Sequence, residues 1–420
     1  MRFFRLAVVL SGFVCLSACS RPKSGDDTPA PSPSADPASA AVKTPDAKVI
    51  KIGQTMPYSG PASAYGTIGR AEGAYFKKIN EEGGISGYKL ELVSLDDGYS
   101  PPKTVEQTRR LVEQDHVVAM FNSVGTAANS AVHKYLNTQQ IPHLFVSSGA
   151  TKWGDPKNFP WTMGFNPTYQ LEGRTYASHI LSTNPKAKIA VLYQNDDYGK
   201  DLLKGLRDGL GPKAAEMIVA EVSYQVSDAT VDSQIATLQA SKANVFVNIT
   251  TPKFAAQAVR RVYDIGWKPV HYLNQVGSSI ASVLKPAGTE KAVGALTIGY
   301  IKDPTDTQYE ADPQMQRYKQ FLKTYYPEGD PDEGSNAYGY VAAQLLVHVL
   351  KQCGGDFTPA AIMREAANVK NFTPELTLPG ISVNTSPGDF FPFDQVQMAR
   401  FNGQNWKTTG ELIQVAPPVL

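Results

Sequence analysis

Cysteine is nearly missing from this chain: Cys15, Cys19 and Cys353 are the only three in 420 residues. Cys15 and Cys19 fall in an N-terminal apolar segment and Cys353 stands alone, so no intramolecular disulfide is expected to staple the fold. Charge of one sign is missing as well. Lys+Arg 40 against Asp+Glu 39 leave a net charge of +1, and no basic run interleaves with aromatics. That excludes nucleic acid as a partner, because no surplus of cations is left to neutralise a phosphate backbone. No G-x-S-x-G elbow, phosphate-binding G-x-x-x-x-G-K-[ST], H-E-x-x-H or C-x-x-C is present, and the first βα loop, 53–69, lacks G-x-G-x-x-G. The six histidines, His116, His133, His143, His179, His271 and His348, have no metal-ligand spacing. Neither a metal nor a cofactor is implied. Asp96-Asp97 and Asp196-Asp197 are paired carboxylates, but each lies in a Gly-containing turn where Asp is expected to cap backbone.

What is present begins with Arg2 and Arg5 ahead of an apolar run, Leu6 to Leu16, too short for a membrane span and right for a secretory signal. It closes with Leu16-Ser17-Ala18-Cys19, which resembles the lipobox of bacterial lipoprotein signals. The resemblance implies that residues 1–19 are a signal, that Cys19 carries lipid, and that the only membrane contact is this anchor. Residues 20–48 are rich in Pro, Ser, Ala and Asp and lack aromatics, which predicts a disordered linker. Such a leash lets a folded body reach a partner in the same membrane.

From Val49 the hydrophobic pattern alternates between strand and helix. Strands are expected at Val49 to Gln54, Lys89 to Leu95, Val117 to Phe121 and His143 to Val146, with helices between them. This βαβαβαβ order predicts an α/β lobe built on a parallel sheet with helices on both faces. The stretch from Val117 to Thr151 is chemically the most pointed. Its first strand runs into Asn122-Ser123-Val124-Gly125-Thr126 and a helix, and its second into Ser147-Ser148-Gly149-Ala150-Thr151. Backbone N–H groups at a helix N-terminus with hydroxyls beside them favour negative charge, so these turns are candidates to hold a carboxylate; they also read as ordinary turns and helix caps.

After Phe165 the grammar restarts. Strands are expected at Lys188 to Tyr193, Met217 to Val222, Val245 to Ile249 and His271 to Leu273, again followed by polar residues at 194–199, 250–252 and 274–275. A second lobe with its own ligand-facing edge follows. From Tyr300 the pattern is mainly helical, with Asp312 to Tyr326, Ser335 to Leu350 and Pro359 to Ala367 expected to cover the first sheet. Val396 to Asn402 and Trp406 read as a closing hairpin.

Several short motifs taken together carry a resemblance. They are Ser59-Gly60-Pro61 with Tyr65-Gly66, Ile79-Asn80 with Gly83-Gly84-Ile85, Asp96-Asp97 with Pro101, Ile141-Pro142, Ser148-Gly149-Ala150-Thr151, Asp197-Tyr198-Gly199, Gly266, and Tyr340 with Ala342-Ala343. In this order the chain resembles type I periplasmic substrate-binding proteins, specifically the leucine/isoleucine/valine-binding group serving ABC importers. The resemblance implies two doubly wound parallel-sheet lobes, 49–166 plus 300–390 and 167–299 plus 391–420. A three-crossing hinge would join them near 165–168, 299–300 and 390–393 and close on a ligand. It implies a periplasmic or cell-surface receptor without catalysis, a small-molecule carboxylate or amino acid as ligand, and an ABC permease of the inner membrane as partner.

By the same resemblance the ligand carboxylate falls to the turns of Ser123, Gly125 and Thr126, and of Ser148, Gly149, Ala150 and Thr151. Tyr65 and Tyr198 line the cleft, and Asp197, Thr251, Asn274 and Gln275 form the opposing wall. Two departures bear on the ligand. No carboxylate stands near 274–276, where the family pairs an amino group, and Thr251 stands where it carries a tyrosine. The family's disulfide positions match Tyr99 and Val124. These departures point toward a carboxylate without a free α-amine, or an amide, unless Asp196 or Asp197 substitutes. A sensor for a signalling partner and a hydrolase on a doubly wound fold are the alternative functions.

Overall fold

The computed structural model describes residues 48–414. The signal segment with Cys19, the 20–48 linker up to residue 47, and residues 415–420 lie outside the described residues.

The first lobe opens with β1 (Val49–Met56), α1 (Gly66–Glu81), β2 (Lys89–Asp96), α2 (Pro101–Glu113), β3 (Ala119–Phe121), α3 (Thr126–Thr138), β4 (His143–Val146) and β5 (Thr162–Gly164). The strands form a parallel five-stranded sheet ordered β2-β1-β3-β4-β5. Helix α1 forms where the apolar positions demanded it: Ile68, Ala71, Tyr75 and Ile79 are all buried on one face. Gly83 and Gly84, both at positive φ, end it, and Gly84 N–H donates to the Ile79 carbonyl at 2.8 Å.

The second lobe contains α4 (Tyr169–Thr183), β6 (Ile189–Gln194), α5 (Asp197–Leu210), the one-turn α6 (Ala214–Met217), β7 (Ile218–Tyr224) and α7 (Asp232–Ala240). It continues through β8 (Val245–Ile249), α8 (Pro252–Asp264), β9 (Val270–Leu273), the short α9 (Lys285–Ala287) and β10 (Leu296–Gly299). Strands β7, β6, β8, β9 and β10 are parallel. The chain then returns to the first lobe with α10 (Pro313–Tyr325), α11 (Gly334–Gln352) and α12 (Pro359–Ala366), whose apolar faces share one core with α1 and the first sheet. It ends in the hairpin β11 (Gln395–Phe401) and β12 (Trp406–Gln414), which adds two antiparallel strands to the β10 edge. The second sheet is therefore mixed, five parallel strands extended by an antiparallel pair. Strand β10, which the hydrophobic pattern did not mark, is the hinge-side strand that receives this hairpin.

The chain passes between the sheets three times, after β5, after β10 and before β11, and aromatic rings from the three passages join through Phe393. Phe165 and Phe393 have ring centroids 5.2 Å apart, Tyr300 and Phe393 5.1 Å, and Phe165 also lies 4.9 Å from Tyr338 of α11. Among the described residues no helix is long and apolar enough to cross a membrane.

Helices α4 and α5 approach so closely that only glycine fits between them. A Cβ on Gly173 would lie 2.4 Å from the Leu202 carbonyl oxygen, and one on Gly205 would lie 2.4 Å from Gln170 Cα. Gly173→Ala is therefore expected to destabilise the protein by about 1–3 kcal/mol through forced separation of the helices. Chemical denaturation checks this, with an unshifted midpoint as the contrary result.

Candidate ligand-binding cleft

In the first sheet the strand order reverses between β1 and β3, and in the second between β6 and β8. Open α/β sheets bind ligands just beyond the carboxyl ends of strands at such switch points. Here the two switch points face each other. Between them lies a cavity of about 160 Å³ whose lining alternates between the lobes.

Of the residues expected from the sequence, the cavity brings together Tyr65 and Gly125 from the first lobe and Tyr198, Thr251 and Gln275 from the second. The rest lie beside it. Ser123 Oγ accepts from Thr55 N–H at 3.0 Å, and Thr126 Oγ1 and Ser148 Oγ bond each other at 2.7 Å. Ser148 Oγ also accepts from Trp153 Nε1 at 2.9 Å and Ala150 N at 3.2 Å. Gly149 sits where a Cβ would lie 2.6 Å from the Pro167 carbonyl, so it permits close approach to the first crossing. Asn274 Oδ1 accepts from Thr250 N at 3.0 Å, and Asp197 is exposed and paired with Lys152 at 2.6 Å. The hydroxyls expected to meet a ligand are thus engaged in building the turns.

The sequence reading missed Tyr99, Asn166, Tyr169, Tyr300 and Tyr338, all of which line the cavity. Tyr99 and Val124, the positions matched to a disulfide, both line it too. The Tyr99 ring packs on Gly125, where a Cβ would lie 2.6 Å from Tyr99 Cε2. Tyr169 and Tyr198 stack in a tilted pair at 4.9 Å, and Tyr338 Oη lies 2.7 Å from Asn166 Oδ1 and 2.8 Å from Ser147 Oγ. The one available signal was that Tyr99 follows the Asp-Asp-Gly turn and Tyr169 follows the first crossing.

The tyrosines of the walls are uncharged. Burial raises the pKa of Tyr65, Tyr99 and Tyr198 well above the ordinary phenol value, so all three remain hydrogen-bond donors at neutral pH. The hydroxyls of Tyr198 and Tyr300 are buried with no hydrogen-bond partner among the described residues. The lining also includes four charged residues, each with a partner: Lys302 Nζ donates to Asp312 at 2.6 Å and Gln314 at 2.7 Å, Asp303 accepts from Thr305 N at 2.9 Å, Asp306 pairs with Lys407, and Asp332 lies 3.1 Å from Lys285. No side chain caps α3, whose N-cap is the cavity residue Gly125. Unpaired N–H groups of a first helical turn attract anions.

Polar contacts close the cleft across both rims. Tyr65 Oη donates to the Val276 carbonyl at 2.8 Å. On one rim Asp201 Oδ2 accepts from Thr151 N at 2.8 Å and Thr151 Oγ1 at 2.9 Å, while its Oδ1 accepts from Gln170 Nε2 at 2.7 Å. On the other, Ser279 Oγ donates to Glu333 at 2.8 Å. Because Thr151 and Asp201 belong to different lobes, Asp201→Ala is expected to weaken closure by about 1.5–3 kcal/mol, the scale of charged hydrogen bonds. Small-angle scattering of the unliganded variant should show a larger radius of gyration than the parent, and equal radii would refute the latch.

The sequence profile described as periplasmic binding protein matches residues 49–405. A Leu/Ile/Val-binding protein homolog 1 from Brucella abortus (strain 2308) is 26% identical over 316 residues, spanning 73% of this chain and 79% of that protein. Among solved structures, a possible leucine/isoleucine/valine-binding protein from Rhodopirellula baltica SH 1 superposes with a TM-score of 0.77 at 19% identity, covering 88% of this chain and 98% of that one. A branched chain amino acid ABC transporter protein from Thermus thermophilus with bound valine gives 0.78 at 17% identity, covering 88% and 97%. With the profile running from β1 into the terminal hairpin, the chain belongs to the periplasmic binding protein family.

Proposed function

We propose that this protein is a non-catalytic extracytoplasmic solute receptor, anchored by lipid at Cys19, that clamps a small amphipathic carboxylate between its lobes and delivers it to an ABC permease. The observation that carries the reading is the tyrosine-rich cavity at two facing switch points, bounded by the uncapped α3 N-terminus and by the unpartnered Tyr198 hydroxyl. The carboxylate lies at the Gly125 end, where N–H groups and the helix dipole compensate its charge without a cationic side chain. Its apolar body packs against Tyr65, Tyr169 and Tyr198. Relatives named as binding leucine, isoleucine and valine support a ligand of this size and amphipathic character.

A thermal-shift screen followed by calorimetry with branched amino acids, aromatic acids, short organic acids and amides tests the reading, and a chemically unchanged ligand recovered after binding tests the absence of turnover. In Tyr198→Phe the loss of one buried donor is expected to weaken carboxylate binding by about 1–3 kcal/mol while leaving the unfolding midpoint close to the parent. Undiminished affinity in that variant would remove Tyr198 from the site.

A further inference from the structure

Glu172 is a buried acid with no cation paired to it among the described residues. It stands in the first turn of α4, immediately after the first crossing, and is 2% exposed. Its Oε1 accepts from Gln275 N at 2.7 Å and from Tyr176 Oη at 2.6 Å. Gln275 lines the cavity, so the carboxyl sits one hydrogen bond behind the wall. The titratable groups facing it are phenols from three elements: Tyr169 and Tyr176 of α4, Tyr198 of α5, and Tyr300 beyond β10. Burial, set against the two hydrogen bonds, pushes its pKa up to about 7.

We infer that Glu172 is a proton-coupled positioning residue: capture of an anionic carboxylate in the cavity is accompanied by uptake of one proton from solvent onto Glu172. The inference rests on the carboxylate-receptor reading above. A ligand anion enclosed in the cavity, across from the wall that Gln275 and Glu172 build, disfavours a second buried negative charge, so ligand and Glu172 are coupled in their ionisation. Protonation leaves Oε1 free to accept from Gln275, and the wall keeps its shape. The coupling also selects ligands: a net anion drives the uptake, whereas a zwitterionic amino acid, with its charges balanced, drives little. Above the free-protein value binding must recruit the proton, and affinity falls toward a limit of about tenfold per pH unit; below about pH 6 it is flat. The sign for folding agrees. A carboxyl whose folded value is raised contributes stability that is fully present below its unfolded value and is lost as pH rises through about 7.

The test is calorimetric titration of the mature chain with phenylacetate, isovalerate and leucine from pH 6 to 8.5, in paired buffers of different ionisation enthalpy. For phenylacetate or isovalerate the parent should take up most of one proton near pH 7.5, and its affinity should fall by about tenfold between pH 7.5 and 8.5. Glu172→Gln, which keeps the acceptor for Gln275 without the charge, should bind at pH 8.5 as the parent does at pH 6, with no uptake. Zero uptake or proton release by the parent overturns the coupling whether or not the variant folds, and so does undiminished uptake in Glu172→Gln. Binding of neither acid at any pH overturns the carboxylate reading and the coupling together. Binding with a flat pH profile overturns the coupling alone.

Discussion

The rings of Phe165, Tyr300 and Phe393 are the contact on which the two-lobed arrangement depends. Each comes from a different passage of the chain between the sheets, and their edge-on and tilted packing at about 5 Å gathers three otherwise independent linkers into one pivot. Tyr338 of α11 joins the cluster, which ties the pivot to the first-lobe core. A pivot of stiff rings permits rotation of one lobe on the other and resists shear. It also has a chemical face. Tyr300 and Tyr338 belong to both the pivot and the cavity lining, so a molecule in the cleft touches the structure about which the lobes turn.

Closure about that pivot is held by contacts of unequal weight. Lys152 and Asp197 are 36% and 61% exposed at the side chain, and an ion pair so wet contributes little beyond its entropic cost. Asp201 and Glu333 are different. Each is more sheltered, and each accepts hydrogen bonds both from the opposite lobe and from its own: Asp201 from Thr151 and Gln170, Glu333 from Ser279 and Ser335. Opening costs these two carboxylates only their cross-cleft partners, because the local ones remain. The rims are thus built to release without leaving a buried charge unpaired, which a reversible clamp requires.

Much of this architecture was legible before any coordinates. Helices such as α2 and strands such as β8 fall where their apolar periods and flanking Pro, Gly and Asp residues put them, because local propensity and tertiary burial agree there. Strand β10 escaped because four residues ending in Gly299 carry too little period to read, and its identity comes from pairing with β11, a hundred residues later. The site was legible as a place and less so as a set of atoms. Thr126 and Ser148 look like free hydroxyls in their turns, but they satisfy each other across 22 residues, and Thr151 finds Asp201 50 residues away. Hydrogen-bond satisfaction of that kind is decided by the packing of the turns against each other. Tyr169 and Tyr338 escaped for the same reason, one hidden in a helix start and one two residues, about half a helical turn, before the motif residue Tyr340.

Beside a few paired charges, the walls of this cleft carry their polarity mainly as tyrosine hydroxyls and backbone N–H groups. Lys302 of the lining is engaged by Asp312 and Gln314, which leaves hydroxyl donors and a helix N-terminus as the groups that would hold a carboxylate, and these act only when the geometry suits and water is expelled. Such a site gains its selectivity from closure, since the donors are weak until the lobes exclude solvent and lower the local dielectric. The same exclusion is what makes Glu172 consequential. In an open, wet cleft a carboxyl behind Gln275 would ionise almost independently of the ligand, whereas in the closed one the two would share a low-dielectric volume. Under the proposed coupling, closure, charge selection and the ionisation of this one buried acid would be a single physical event, turning on rings packed at the pivot.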